Sequence, residues 1–159
     1  MIVSSIYWVH LLETRSNKIS KEVANRGIRD KNGVNRLMKA LFVEYPRCTT
    51  CKKALNYLKA HNVEVEDRHI VENVPTEAEL KEWMDKSGLE FKKFFNTSGQ
   101  LYREMGLKDQ VKTMSQEEAI KLLATNGMLI KRPILVTENS VCVGFKEAQY
   151  EEVLKNNRM

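Results

Sequence analysis

Cys48 and Cys51, separated by Thr49 and Thr50, are the residues of this chain best placed to do chemistry. They lie where an apolar run, Leu41 to Tyr45, gives way to a stretch of helical periodicity, Thr50 to Lys59. The first turn of a helix offers free backbone N–H groups and the positive end of the macrodipole, so a thiolate at Cys48 is favoured over the thiol. A thiol of ordinary pKa, about 8.5, is only about 3% ionised at neutral pH, whereas one shifted to about 6 is roughly 90% ionised. Ala54, Leu55 and Leu58 follow Cys51 at three, four and seven residues, which puts Cys51 on the buried stripe of the helix. Cys48 precedes that stripe and is expected to face solvent. The spacing therefore assigns Cys48 as the attacking thiolate and Cys51 as the resolving thiol that closes an internal disulfide.

Two blander readings compete with this one. Half a zinc site needs two more ligands, and Cys142, His10, His61 and His69 offer no second paired spacing. A pair of unreactive packed cysteines is the other. The redox reading requires neither metal nor cofactor. Cys142 alternates with Val141 and Val143 and reads as a packed thiol, while His61 at a helix end and His69 at a strand end are assigned no chemistry. Arg47 and Lys52 read as a solvated rim whose charge would favour a thiolate or an anion.

The composition sets the setting for that chemistry. A chain of 159 residues, 42% hydrophobic and 30% charged, is one ordinary globular domain. Three cysteines do not make a disulfide framework, and no basic start or cleavage site of a secretory signal appears. Both features fit a reducing cytoplasm. Ile2 to Leu12 is apolar but too short to span a bilayer. The net charge of +5 is uneven: residues 1–37 hold seven basic residues against three acids, leaving 19 against 18 in 38–159. The folded part is close to neutral, which argues against direct nucleic-acid binding. Arg26 to Asn35 reads as loop or disorder. With Met38-Lys39 directly before the first strand, residues 1–37 are expected to be a leader or sequence upstream of the natural start, and 38–159 the domain.

The remaining elements follow from periodicity and capping. Val63 to Ile70 reads as a strand, and a right-handed crossover makes it parallel to the first, with the cysteine loop at the C-terminal edge of the sheet. Thr76 with Glu79 and Ser115 with Glu118 form capping boxes, opening helices that run to Gly88 and toward Gly127. Phe91, Phe94, Phe95, Leu101, Tyr102 and Met105 read as core residues of one or two short helices between them. Pro133–Thr137 and Ser140–Phe145 are expected to pair as an antiparallel hairpin, and Lys146–Lys155 to close the chain as a helix. The order predicts an α/β fold of thioredoxin type, a mixed sheet flanked by helices with an all-helical insertion.

From Met38 to about Leu154 the sequence resembles the ArsC/Spx family, which comprises glutaredoxin-coupled arsenate reductases, the regulators Spx and MgsR, and relatives such as YusI and YffB. The resemblance rests on YPRCTTCKKALNYL at 45–58, DRHI at 67–70, KRPILV at 131–136 and VGF at 143–145. It implies the glutaredoxin-type variant of the fold, Cys48 as nucleophile, Arg132 as an oxyanion-holding arginine and Pro133 as a cis proline beside the site. Two further arginines of the reductases have as their nearest counterparts here Asn96 and the Phe145-Lys146 pair. Lys146, Lys52 or Arg47 could replace that charge only in part. Cys51 stands where such reductases commonly have a hydroxyl residue and recruit glutathione, and in this it is similar to Spx.

Three roles follow as expectations from the resemblance and the residues together. The first is a thiol-disulfide protein restored by a thioredoxin- or glutaredoxin-like reductant. The second is an Spx-like redox-sensing regulator that contacts the C-terminal domain of the RNA polymerase α subunit. The third is arsenate reduction with a depleted anion clamp. None of them involves a membrane.

Overall fold

The computed structural model describes residues 38–157, together with two dipeptides of the leader, Ile28–Arg29 (β1) and Asn35–Arg36 (β2), which pair antiparallel. Of these, Ile28, Arg29 and Asn35 depart from the loop reading of Arg26 to Asn35. The rest of the expected leader lies outside the described residues, as does the expectation that Met38 is the natural start.

Strand β3, Lys39–Glu44, is the centre of the domain. Its side chains alternate: Ala40 and Phe42 enter one core and Val43 the other, so both faces of the sheet must be covered. Helix α1, Thr49–Ala60, leads from β3 to β4, Glu64–His69, which runs parallel to β3 from Lys39↔Glu64 to Glu44↔His69. On the other side β5, Ile134–Val136, is antiparallel to β3, and β6, Val141–Val143, is antiparallel to β5. The strand order is β4-β3-β5-β6, a mixed sheet.

The hairpin strands are shorter than their apolar runs. Pro133 has no N–H for a ladder, and Thr137 closes the turn with its side chain. The Thr137 hydroxyl donates to the Ser140 carbonyl (2.9 Å) and accepts from the Ser140 N–H (3.0 Å).

One face of the sheet is covered by α1 and by the last helix, α6, Glu147–Asn156, whose Tyr150, Val153 and Leu154 pack with Ala54, Leu58, Leu135 and Cys142. The opposite face carries α2, Glu77–Ser87, and α5, Gln116–Thr125, with the short α3, Gln100–Glu104, and α4, Leu107–Thr113, between them. Both predicted capping boxes form, and Gly88 ends α2 in the left-handed conformation at φ 63°. Phe94, Phe95 and Tyr102 are buried as expected. Met105 is not: it is 41% exposed, at the end of α3 where Gly106 (φ 62°) turns the chain away.

Arg68 of the DRHI motif ties β4 to α2. Its Nη1 and Nη2 donate to Glu79 Oε1 and Oε2 (2.7 and 3.1 Å), and Nε donates to the Asn73 carbonyl (3.0 Å). The hydrogen bonds from Arg68 hold the Glu79 carboxyl below its usual range, against the opposing effect of partial burial.

Helix α5 stops at Thr125, two residues before Gly127, because the Asn126 side chain accepts the Met128 N–H (2.9 Å) and starts a single 3-10 turn, Gly127–Leu129. Gly127 is required there for space: a Cβ would collide with the backbone carbonyl of Ile70. Gly127→Ala should therefore cost about 2 kcal/mol or more, measured by urea denaturation, and a variant as stable as the parent would contradict this packing.

Candidate active site

The loop between β3 and α1 is folded tightly by its own backbone. The Cys48 N–H donates to the Tyr45 carbonyl (2.8 Å), and the Cys48 carbonyl accepts the Lys52 N–H (3.2 Å), the first bond of the helix. Cys48 is thus the N-cap of α1, in extended conformation at φ −85° and ψ 119°. Its side chain is half-buried, whereas Cys51, one turn on, is fully buried with Ala54 and Leu58. Cys48, Cys51 and Cys142 are all free thiols.

The electrostatics of the two neighbouring sulfurs are opposed. Partial burial works against ionisation of Cys48 and is the largest single influence on it. It is outweighed by the Cys51 backbone N–H, the Cys51 thiol, the Thr50 backbone N–H and the positive charge of Arg132 taken together. The net result is a Cys48 pKa below that of an ordinary thiol. The neutral thiol makes no capping hydrogen bond; these donors act on the ionised sulfur. The first turn of α1 carries no acid that would oppose a thiolate.

Cys51 goes the other way. Burial pushes it up to about 12, aided by the hydrogen bond to Cys48, the Cys48 charge and the carboxylate of Glu44, with only the Tyr45 backbone lowering it. Ionisation is thus favoured at the outer sulfur and opposed at the inner one, which stays a protonated donor beside it.

Cys48 opens into a cleft of about 410 Å³ whose polar lining includes Thr50, Asn96, Ser98, Lys131, Arg132 and Lys146. Among the described residues no carboxylate lines it, and the charged side chains in its lining are all cationic. Arg132 enters from the loop before β5, and the Arg132–Pro133 peptide is cis. Gly144 forms part of the floor at φ 83°, a left-handed conformation that suits glycine, and its N–H donates to the Pro133 carbonyl (2.8 Å). This gives VGF its place: Gly144 fastens the end of β6 to the proline loop.

The sequence-predicted site residues separate into two groups. Cys48, Arg132, Asn96, Phe145 and Lys146 line one cleft, with Cys51 buried one turn beyond Cys48 and Pro133 buried next to Arg132 in the chain. Arg47 and Lys52 are exposed and lie outside that lining. Asn96 is held by backbone: its Nδ2 donates to the Met128 carbonyl (3.2 Å) and its N–H to the Leu129 carbonyl (2.7 Å). Sequence reasoning missed Lys131 and Ser98. Lys131 was legible only as the neighbour of Arg132 in KRPILV, and Ser98 carried no signal. Cys142 is buried in the core beside Tyr150, and burial raises it to about 11. His61 stacks on Tyr57 at the end of α1, and His69 accepts backbone N–H groups at the end of β4.

The comparisons with known proteins agree with this architecture. The ArsC family model matches residues 43–153, and the chain belongs to that family. It is 50% identical over 115 residues to the YusI protein of Bacillus subtilis, a match covering 72% of this chain and 98% of YusI. It is 30% identical over 114 residues to the regulatory protein MgsR of the same organism, covering 72% and 89%. The crystal structure of an ArsC family related protein from Bacteroides fragilis superimposes with a TM-score of 0.72 at 52% identity, covering 74% of this chain and 99% of that one. The fold is thioredoxin-like, with the mixed four-stranded sheet and flanking helices described above. Among the described residues no helix is long and apolar enough to cross a membrane.

Because the Cys48 pKa is lowered, alkylation by iodoacetamide should rise through a midpoint below that of an ordinary thiol. Cys51, buried and held as a thiol, should react only at a higher pH than Cys48. Arg132→Ala should move the first midpoint upward, since a neighbouring cation is lost. A first midpoint at or above that of a free thiol would refute the electrostatic account.

Proposed function

We propose that this protein is a cytoplasmic thiol-disulfide oxidoreductase in which Cys48 is the nucleophile and Cys51 the resolving thiol. The observation that carries the reading is the opposed ionisation of two sulfurs one helical turn apart, the outer one favoured as thiolate and the inner one held as thiol. The Cys48 thiolate attacks one sulfur of a disulfide substrate; that S–S bond breaks, one substrate thiolate leaves, and a mixed disulfide forms on Cys48. Capture of Cys48 removes its negative charge, and with it two of the causes that keep Cys51 protonated. Cys51 then attacks the Cys48 sulfur, its proton passing to the second substrate sulfur, which leaves as a thiol, and an internal disulfide remains. The substrate has gained two electrons, and a thioredoxin- or glutaredoxin-like dithiol reductant supplies two others to restore the pair.

Arg132, with Lys131 and Lys146, makes the cleft suited to a substrate bearing negative charge, and Pro133 belongs to the loop that presents Arg132. Exposed Lys52 and Arg47 contribute to the positive field at the loop.

Cys51→Ser should accumulate a mixed disulfide on Cys48 when given a disulfide substrate, visible as an added mass under non-reducing conditions. The parent should instead lose two hydrogens and release both thiols. Equal turnover by the variant and the parent would overturn the division of roles.

The similarity to MgsR favours a second reading, in which the same pair switches a regulator that contacts the RNA polymerase α C-terminal domain, as in the Spx proteins the sequence resembles. Under this reading a pull-down with that domain should retain the protein in one redox state and release it in the other. Absence of binding in both states removes the reading. The unpartnered nitrogens of Arg132 support a third reading, arsenate reduction. It requires arsenate turnover that collapses in Arg132→Ala, and inertness toward arsenate with every thiol donor excludes it.

A further inference from the structure

Among the described residues Arg132 has no counter-ion. Its Nε and Nη1 are buried and have no hydrogen-bond partner, and none of the ion pairs among the described residues includes it. What the guanidinium does meet is a ring: Cζ lies over Tyr45, 5.0 Å from its centroid, inside cation–π range.

That ring is itself braced. The His69 imidazole meets it edge-on, with centroids 5.7 Å apart and planes at 76°. His69 in turn is fixed by two backbone donors, the Val71 and Glu72 N–H groups at 3.2 and 3.1 Å from its Nδ1. The Tyr45 backbone belongs to the cysteine loop through its carbonyl, which accepts the Cys48 N–H. One residue thus joins the end of β4, the cysteine loop and the arginine on the loop before β5.

The kind of contact matters more than its strength. A carboxylate at this place would hold the guanidinium firmly, but it would use up its donors and cancel most of the charge felt at the Cys48 sulfur. The face of an aromatic ring attracts the cation through its quadrupole and consumes no N–H.

We propose that Tyr45 is a positioning residue of this site: its ring is the platform that keeps the Arg132 guanidinium beside Cys48 without neutralising it, so that its positive charge acts on the sulfur and on an anionic group of a disulfide entering the cleft. The inference rests on the reading of Cys48 as the reacting sulfur and adds the means by which its cation is held.

The test is a cycle of Tyr45→Leu, Arg132→Ala and the double variant, with Tyr45→Phe as the conservative control. Two readouts apply: the pH midpoint of Cys48 alkylation, and the rate with dianionic 5,5′-dithiobis(2-nitrobenzoate) relative to neutral dithiodipyridine at low salt. Tyr45→Phe keeps the ring and should match the parent. Tyr45→Leu should raise the midpoint and slow the anionic disulfide about three- to tenfold relative to the neutral one. In the Arg132→Ala background the same change should have no further effect.

A Tyr45→Leu effect of equal size without Arg132, or no effect with it, overturns the proposal. Tyr45→Met replaces Tyr45→Leu in the cycle if the latter does not fold. The two ideas fail separately. A parent whose Cys48 titrates as an ordinary thiol defeats the redox reading, and this inference with it. A low parent midpoint that is indifferent to loss of the ring defeats this inference alone.

Discussion

The N-terminus of α1 meeting the Cys48 sulfur is the interaction on which the site depends. Burial by itself would keep this sulfur neutral, so everything that makes it reactive has to come from fixed dipoles and charge. The largest single contribution comes from the backbone, through an N–H group that the first turn of a helix leaves without a partner. The arrangement is rigid because the Cys48 N–H is bonded back to the Tyr45 carbonyl, so the loop cannot rotate the sulfur away from the helix without losing that bond.

The asymmetry between the two cysteines follows from the same geometry. A spacing of three residues puts the second sulfur on the inner face of the helix, where Ala54 and Leu58 already point, and the core between α1 and β3 desolvates it. Each sulfur then enforces the state of the other: the thiolate outside raises the thiol inside, and the thiol inside donates to the thiolate outside. No metal or cofactor is needed for this polarity, which comes from where the sheet, the helix and solvent meet.

Around the pair, membership in the ArsC family sets an architecture rather than a substrate. Asn96 and Phe145 stand on the walls of the cleft near positions where the resembled reductases carry arginine, and the Asn96 side chain is engaged with the Met128 carbonyl. The cationic character of the cleft therefore rests on Arg132 with Lys131 and Lys146. Arg132 is a fixed, permanently charged planar donor; the two exposed lysines are compact charges on flexible stems.

Much of this was legible in the chain because local rules were enough to write it. The capping boxes at Thr76 and Ser115, the apolar stripe behind Cys51 and the apolar run of β3 are short-range patterns, and each forms the element expected of it. Patterns that depend on distant partners were not legible. Met105 has helical spacing yet faces solvent because Gly106 turns the chain, and α5 ends early because Asn126 captures a backbone N–H. Arg47 and Lys52 are sequence neighbours of the cysteines but lie outside the cleft, while Lys131, more than eighty residues away, lines it. The sequence by itself determined which cysteine of the pair is buried and the class of fold, since those depend on neighbours within a turn or a strand. Only the tertiary structure decided which cations face Cys48 and that an aromatic ring, not a carboxylate, holds the nearest one, because long-range strand pairing brings the loop before β5 against the end of β3.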